Sequence, residues 1–156
     1  MSSIRPAHPA DLDRLLDLWL ALMRNGQATD PRFHVASGAR RAIEAWAAEN
    51  WFRLDPFPRV IVAAEGDELC GFVHGFPVAM VPVLDVPATA RVADLWVAPT
   101  MRRRGLGKTL VETFIANARK AGFPRLEVTT LSDDARARAF WWALGFADWQ
   151  VTLLRG

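Results

Sequence analysis

Residues 92–108, VADLWVAPTMRRRGLGK, contain the pattern that decides the predicted fold. Thr89 to Val97 favours a strand, and a helical period of apolar residues follows from Gly105 to Ala121. The first N–H groups of a helix have no partner within it and carry the positive end of its dipole. Glycine also lets the backbone approach a ligand closely. The basic, glycine-containing segment Arg102–Lys108 therefore predicts an anion site of the pyrophosphate type.

Other interpretations of this segment are weighed against that site. The P-loop pattern GxxxxGK[ST] is absent, and position 110 is Leu where a dinucleotide fingerprint needs a third glycine. Taken alone, Arg102 to Arg104 also fit a solvated run of charge before a helix. The surrounding elements decide between these alternatives.

Those elements form one α/β pattern without repeats or linkers, and we expect a single domain over residues 1–156. Two helices are predicted before residues 92–108. The first runs from Asp11 to the stop signal Asn25-Gly26, and the second from about Gly38 to Asn50. A third begins after a cap at Ser132 or Asp133 and ends at Gly145. Residues 77–88, with three prolines, are predicted to form a loop. The further predicted strands are Ile4–Ala7, Arg59–Glu65, Leu69–Phe76, Leu126–Leu131 and Phe146–Leu154.

Composition limits the function classes. The chain is 51% apolar and 23% charged, typical of a globular protein, and its net charge of +2 is too small to imply nucleic acid. Cys70 is the only cysteine, which excludes an intrachain disulfide and a cysteine-based metal site, and it is expected to be a small buried side chain. No signal peptide or membrane-length apolar run is seen, so we expect a soluble, cytoplasmic protein.

Two motifs resemble those of the GCN5-related N-acetyltransferase (GNAT) superfamily. Arg102 to Gly107 matches Arg/Gln-x-x-Gly-x-Gly/Ala after a strand. Asp134 to Ala137 and Trp141 to Phe146 fall at the spacing of Asn-x-x-Ala-x-x-x-Tyr-x-x-x-Gly-Phe. The stretches IRPAHPADLDRLLDLW and DPRF are similar to one bacterial branch, so the resemblance covers nearly the whole chain.

The resemblance implies a mixed, mostly antiparallel sheet of about six or seven strands, with splayed fourth and fifth strands and about four flanking helices. It also implies acetyl-CoA as co-substrate and direct attack of an amine on the thioester. The cofactor-binding residues would come from the fourth strand, the loop after it and the last helix. They are Leu95, Trp96, Val97, Arg102, Arg103, Arg104, Gly105, Leu106, Gly107, Lys108, Asp134 and Trp141.

Asp94 is the predicted catalytic base, because it is a carboxylate in an apolar strand directly before the cofactor-binding backbone. The alternatives are an ion pair for Asp94, His74 or water as the base, and, less favoured, His34. The chain contains no tyrosine, and Trp141 stands where the family usually has that acid. Thiolate is a fair leaving group without an acid, since a thiol has a pKa of about 8.5, and water or Ser132 can supply the proton.

Two functions follow for this chain. The first is acetyl transfer to a primary amine of a small molecule or peptide. The second is an acyl-CoA-binding regulatory protein with little turnover, which the missing tyrosine favours. Nucleic-acid binding through the arginines is a weaker third, since no second basic stripe with aromatics appears.

Aromatic residues near the N-terminus are candidates for the acceptor site. The resemblance implies that Trp19, Phe33, Trp46 and Trp51 lie in the region that walls it, although core packing is favoured for Trp19 and Trp46 from their helix faces. The Pro77–Pro87 loop is a further candidate. The apolar strand Trp149–Leu154 is expected to be an edge that can pair in a homodimer.

Overall fold

The computed structural model describes residues 1–155, which form one five-stranded sheet flanked by four α-helices. Short 3-10 turns at Pro9–Asp11 and Pro99–Met101 precede the first and third helices. The elements in chain order are β1 (Ser3–Pro6), α1 (Leu12–Thr29), α2 (Ala39–Asn50), β2 (Val60–Glu65), β3 (Glu68–Val78), β4 (Thr89–Val97), α3 (Leu106–Lys120), β5 (Arg125–Val128) and α4 (Ala135–Ala143).

The strands lie in the order β1-β2-β3-β4-β5. The first four pair antiparallel, and β5 pairs parallel with β4. One face of the sheet packs against α1 and α2 around Leu15, Leu16 and Phe72. The other packs against α3 and α4 around Val73, Leu110 and Phe114. The predicted mixed, mostly antiparallel α/β fold with four helices is therefore confirmed, with five strands in place of six or seven.

The predicted last strand, Phe146–Leu154, is wrong for the described residues of that segment, which form no strand. Trp149, Val151, Leu153 and Leu154 are each more than two-thirds exposed. Alternating apolar residues make a strand only where a neighbouring strand supplies hydrogen bonds. No described strand pairs with this segment.

Other element ends also differ from the prediction. Strand β5 ends at Val128 rather than at Leu131, because its pairing with β4 stops there. Helix α1 continues through Asn25-Gly26 to Thr29. Gly26 is used for close packing, since a Cβ there would lie 3.0 Å from Cε1 of Phe33. Strand β3 extends through Pro77 to Val78. Because β2 begins opposite His74, β3 beyond that point pairs only with β4, and the missing N–H of Pro77 is tolerated at this local edge.

Cys70 on β3 is buried, as predicted, and its burial raises the pKa of the thiol. Asp134 caps α4, accepting a hydrogen bond of 2.9 Å from the N–H of Ala137, where Ser132 or Asp133 had been predicted. None of the helices in residues 1–155 is long and apolar enough to cross a membrane.

Candidate active site

A cleft opens where β4 and β5 part. Their pairing covers only Thr89–Val92 against Arg125–Val128, so the rest of β4 is hydrogen-bonded on one side, to β3. Residues 93–97 and 129–131 line the gap. The cleft has a volume of about 1140 Å³, above the roughly 300–1,000 Å³ of an ordinary small-ligand pocket. It is therefore larger than an ordinary pocket for one small ligand.

The N-terminus of α3 forms one end of the cleft. Gly105, with φ of 76°, and Arg103, with φ of 62°, both adopt the left-handed region and turn the chain into the helix. Thr109 donates the first backbone hydrogen bond, to the Gly105 carbonyl at 3.0 Å. Within the described residues, the N–H groups from Arg103 to Lys108 make no backbone hydrogen bond. They constitute the donor set that an anion needs at a helix N-terminus.

Side-chain charge reinforces this set. Arg102, Arg103, Lys108 and Arg136 line this part of the cleft, opposed by the single carboxylate of Asp134. Most of these side chains are exposed, so their attraction for a phosphate depends on ionic strength. The sequence prediction did not include Arg136; its position inside the second matched motif was the available signal.

Arg104 differs from its neighbours. Although it belongs to the arginine run, it does not line the cleft, and its Nη1 lies 3.8 Å from Sδ of Met101. Only its backbone N–H resembles the neighbouring groups, because it too makes no backbone hydrogen bond and is available to an anion. Three consecutive arginines therefore divide into two that reach the cleft and one that does not.

Arg102 ties the loop to the end of β4. Its Nε donates to the Val97 carbonyl at 2.9 Å, and its guanidinium lies 4.5 Å from the ring centroid of Trp96. Burial and the neighbouring Arg136 lower the pKa of Arg102. These two contacts fix the position of the loop after β4 relative to the predicted residues Trp96 and Val97. Leu95 lines the same gap.

Asp134 and Trp141 occupy the α4 side of the cleft. The Asp134 carboxylate is committed to capping α4. Trp141 is 7% exposed and packs edge-on between Phe140, at 5.1 Å, and Phe146, at 5.3 Å. Trp141 thus supplies an apolar wall where the family motif has a phenol.

His74 and Asp94 are joined at the centre of the sheet. His74 lies opposite Asp94 in the β3–β4 register, and its Nδ1 is 2.7 Å from Oδ2 of Asp94. The two side chains are 6% and 14% exposed, and both line the cleft. When Nδ1 donates its proton to the carboxylate, Nε2 carries the lone pair that accepts a proton. From the sequence, His74 and Asp94 were alternative bases, and their contact was not predicted.

A bulge produces this contact. The register is His74 with Asp94 and then Gly75 with Val92, which leaves Ala93 as the extra residue. A Cβ on Gly75 would lie 2.3 Å from the Arg91 carbonyl oxygen, so only glycine fits at this point. Bulges re-aim side chains beside functional sites.

Aromatic side chains surround the pair and line the other end of the cleft. The ring centroid of His74 is 5.9 Å from Trp51 and 6.2 Å from Trp46. Trp51 is buried, but Trp46 is 46% exposed and lines the cleft, which corrects the core position expected for it. Trp19 packs against the core between the sheet and helices α1 and α2, as expected, and it also lines the cleft.

Phe33 also lines the cleft, whereas two other acceptor-side predictions do not. His34 is exposed and lies outside the cleft lining. Residues 77–88, which contain the Pro77–Pro87 loop, also lie outside the cleft lining. Within the described residues, this end of the cleft is therefore lined by α1, the loop after it, α2 and the centre of the sheet.

Comparison with known proteins identifies the family. The model of the Acetyltransferase (GNAT) family matches residues 19–146, and this chain belongs to that family. The predicted resemblance is thereby confirmed, and acetyl-CoA is the co-substrate that family membership supplies. No curated protein sequence matches the chain significantly.

Solved structures show the same fold. Aminoglycoside N-acetyltransferase AAC(6')-Iy in complex with CoA has a TM-score of 0.76 and 18% identity, covering 100% of this chain and 95% of that chain. A tetramutant of the BH1408 protein from Bacillus halodurans has a TM-score of 0.78 and 17% identity, with 99% of each chain covered. The ribosomal-protein-alanine N-acetyltransferase from Brucella melitensis has a TM-score of 0.68 and 17% identity over 100% of both chains.

Proposed function

We propose that this protein transfers the acetyl group of acetyl-CoA to a primary amine of a small molecule or peptide, without a tyrosine acid. One observation carries the proposal: a single cleft joins the anion-binding loop Arg102–Lys108 to the His74–Asp94 pair. A phosphate-bearing acyl donor and a proton acceptor are the two groups that amine acetylation requires.

The diphosphate of acetyl-CoA would accept hydrogen bonds from the N–H groups of Arg103 to Lys108, with Arg136 adding countercharge. The pantetheine arm would enter the gap between β4 and β5 and bond to free backbone groups near Leu95. This path leads the thioester toward Asp94 on the same strand.

The His74–Asp94 pair would act as the base, taking one proton from the ammonium group of the substrate. The neutral amine nitrogen would then bond to the thioester carbonyl carbon, and the C–S bond would break with its electron pair leaving on sulfur. The second proton that nitrogen loses as the amide forms would pass through water to the thiolate and give the free thiol. Trp141 would not supply that proton, because an indole N–H does not act as an acid at neutral pH. Since Trp141 lines the cleft, it would instead form a wall of the acyl slot.

The alternative is acyl-CoA binding with little turnover, favoured by the absence of tyrosine from the chain. A lost general acid typically lowers the rate by about 10²–10⁴-fold. A thermal-shift titration with acetyl-CoA tests binding, and DTNB detection of released thiol over a panel of amines tests turnover. Binding with thiol release supports the proposal; binding without thiol release supports the alternative, and no stabilisation by any CoA species contradicts both.

We also propose a homodimer that uses the C-terminal segment. Trp149, Val151 and Leu153 alternate along it with exposed apolar side chains, and β5 is the last strand of the sheet on that side. Light scattering on the eluting protein should give a dimer for the full chain and a monomer after removal of residues 151–156. A monomeric full chain contradicts this proposal.

We propose the cytoplasm as the location of the protein. The support is its unpaired buried thiol, Cys70, which suits a reducing compartment. Fractionation of cells that express the tagged chain tests this, and recovery from an extracytoplasmic fraction contradicts it.

A further inference from the structure

We infer that the acceptor is a hydrophobic primary monoamine that carries no carboxylate and no second cationic group. This inference rests on the proposed acetyl transfer and narrows its substrate class. It follows from the distribution of charge and aromatic surface along the cleft. Below, the acceptor end means the part of the cleft lined by α1, the loop after it, α2, His74 and Asp94.

Charge is separated along the cleft. All of its arginine and lysine side chains stand on the loop before α3, on α3 or on α4, at the anion-binding end. Among the described residues lining the acceptor end, Asp94 is the only one with a carboxylate, and none is an arginine or lysine. The local charge therefore suits one ammonium group.

A substrate carboxylate would find no partner there. A carboxylate that is partly desolvated without a cationic partner is disfavoured, and the acceptor end offers it no such partner. A polycationic acceptor would have one carboxylate for several ammonium groups. Amino acids and polyamines are therefore expected to be poor substrates for this protein.

Aromatic and aliphatic surface forms the rest of the acceptor end. Trp46 stands 46% exposed on α2, and Trp19, Leu22 and Phe33 line the same space from α1 and its loop. Large aromatic side chains left exposed in a concave site provide contact area for an apolar ligand. The ammonium at Asp94 and an apolar body against Trp46 together define the proposed acceptor.

The test uses matched pairs of amines with a saturating concentration of acetyl-CoA and thiol release as the readout. 2-Phenylethylamine and L-phenylalanine differ by one carboxylate; hexylamine and 1,6-diaminohexane differ by a second ammonium. We expect kcat/KM to be about 100-fold higher for the first member of each pair, because the additional charge of the second member finds no partner at the acceptor end. Equal or higher kcat/KM for phenylalanine or the diamine overturns the inference while leaving acetyl transfer standing.

Variants locate the effect. Trp46→Ala should raise KM for 2-phenylethylamine about tenfold, a loss typical of one aromatic contact, with KM for acetyl-CoA unchanged. Trp142→Ala is the matched control, because Trp142 is 50% exposed on α4 and packs against Arg138 outside the cleft. Trp46→Phe should restore most of the loss.

Asn25→Arg supplies the missing cation. Asn25 is exposed at the cleft on α1, so the variant should fold, and it should narrow the preference for 2-phenylethylamine over L-phenylalanine. An unchanged preference in this variant, together with an unchanged KM in Trp46→Ala, contradicts the assignment of this end to the acceptor. Acetyl-CoA binding without thiol release from any amine overturns the proposed function itself, and this inference with it.

Discussion

At the scale of single residues, the proposed catalysis depends on the contact between His74 and Asp94. A 2.7 Å hydrogen bond joins two mostly buried side chains on adjacent strands, at the only carboxylate of the acceptor end among the described residues. In such a pair the carboxylate holds the imidazole in one tautomer and stabilises it once it has taken a proton. In the proposed reaction the two residues would therefore act together as one base.

Asp94→Asn should lower kcat/KM for the amine by about 10²–10⁴-fold, the usual contribution of a general base. Because the pair acts as a unit, His74→Gln should fall in the same range, and the double variant should be little worse than either single one. Isothermal titration should give an unchanged Kd for acetyl-CoA.

Matched controls for these two variants lie outside the cleft. Asp67→Asn changes an exposed carboxylate in the β2–β3 turn, and His34→Gln changes an exposed histidine. Both should retain wild-type activity. Full activity in Asp94→Asn would remove Asp94 from the mechanism.

Asp11 shows a second residue-scale effect, on stability. Its carboxylate accepts hydrogen bonds from Arg5 at 2.7 and 3.0 Å and from the His8 N–H at 2.8 Å, and these interactions, Arg5 first, lower the pKa of Asp11. A lowered folded-state pKa means that the stabilisation is present above the unfolded pKa of about 3.9 and is lost as pH falls through the folded pKa.

Asp11→Asn should reduce the free energy of unfolding at pH 7 by about 1.5–3 kcal/mol, the range for hydrogen bonds to charged groups. Urea denaturation across pH should show the difference between wild type and variant shrinking below about pH 4, where the carboxyl of the unfolded wild type takes up a proton, and continuing to shrink until the folded carboxyl is also neutral, at a lower pH. A difference that stays constant with pH would show that ionisation of Asp11 is not its source.

At the scale of elements, the loop before α3 separates backbone from side-chain contributions. Arg103 lines the cleft and Arg104 does not, although both contribute an N–H to the loop. Arg103→Ala should weaken acetyl-CoA binding about tenfold, the loss of one partly screened charge-assisted contact, and less at high salt. Arg104→Ala is the control and should bind normally. Equal losses in the two variants would mean that only the net charge of the loop matters.

Strand β3 carries the other element-scale test. In Gly75→Ala the new methyl would meet the Arg91 carbonyl oxygen at 2.3 Å and the Phe114 ring at 2.4 Å. We expect a loss of about 1–3 kcal/mol in the free energy of unfolding, as for overpacked cores, and reduced activity from a displaced bulge. Gly38→Ala, where no atom lies within 4 Å of the added Cβ, should lose less than about 1 kcal/mol. Similar losses in both would contradict the role of Gly75.

At the scale of the whole molecule, prediction from sequence succeeded where the signal is local. The strand Thr89–Val97 has the predicted bounds, and a helix begins within the segment Arg102–Lys108, as predicted. Both depend on apolar periodicity, proline and glycine within a few residues.

The remaining features depend on distant parts of the chain. The His74–Asp94 contact requires the β3–β4 register and its bulge, which Gly75 sets through a close approach to Phe114 on α3. The exposed position of Trp46 depends on how α2 packs against the sheet, since Ile43 and Ala47 of the same helix face the core. The strand predicted at the C-terminus needed a neighbour that the described residues do not provide.

One measurement tests the central claim most directly: detection by mass spectrometry of an N-acetylated amine, formed together with one equivalent of free CoA, when the protein is incubated with acetyl-CoA and 2-phenylethylamine or hexylamine. We expect product with wild type and almost none with Asp94→Asn, while both bind acetyl-CoA. Acetyl-CoA binding without product from any primary amine would contradict it and leave a binding protein with an acetyltransferase fold.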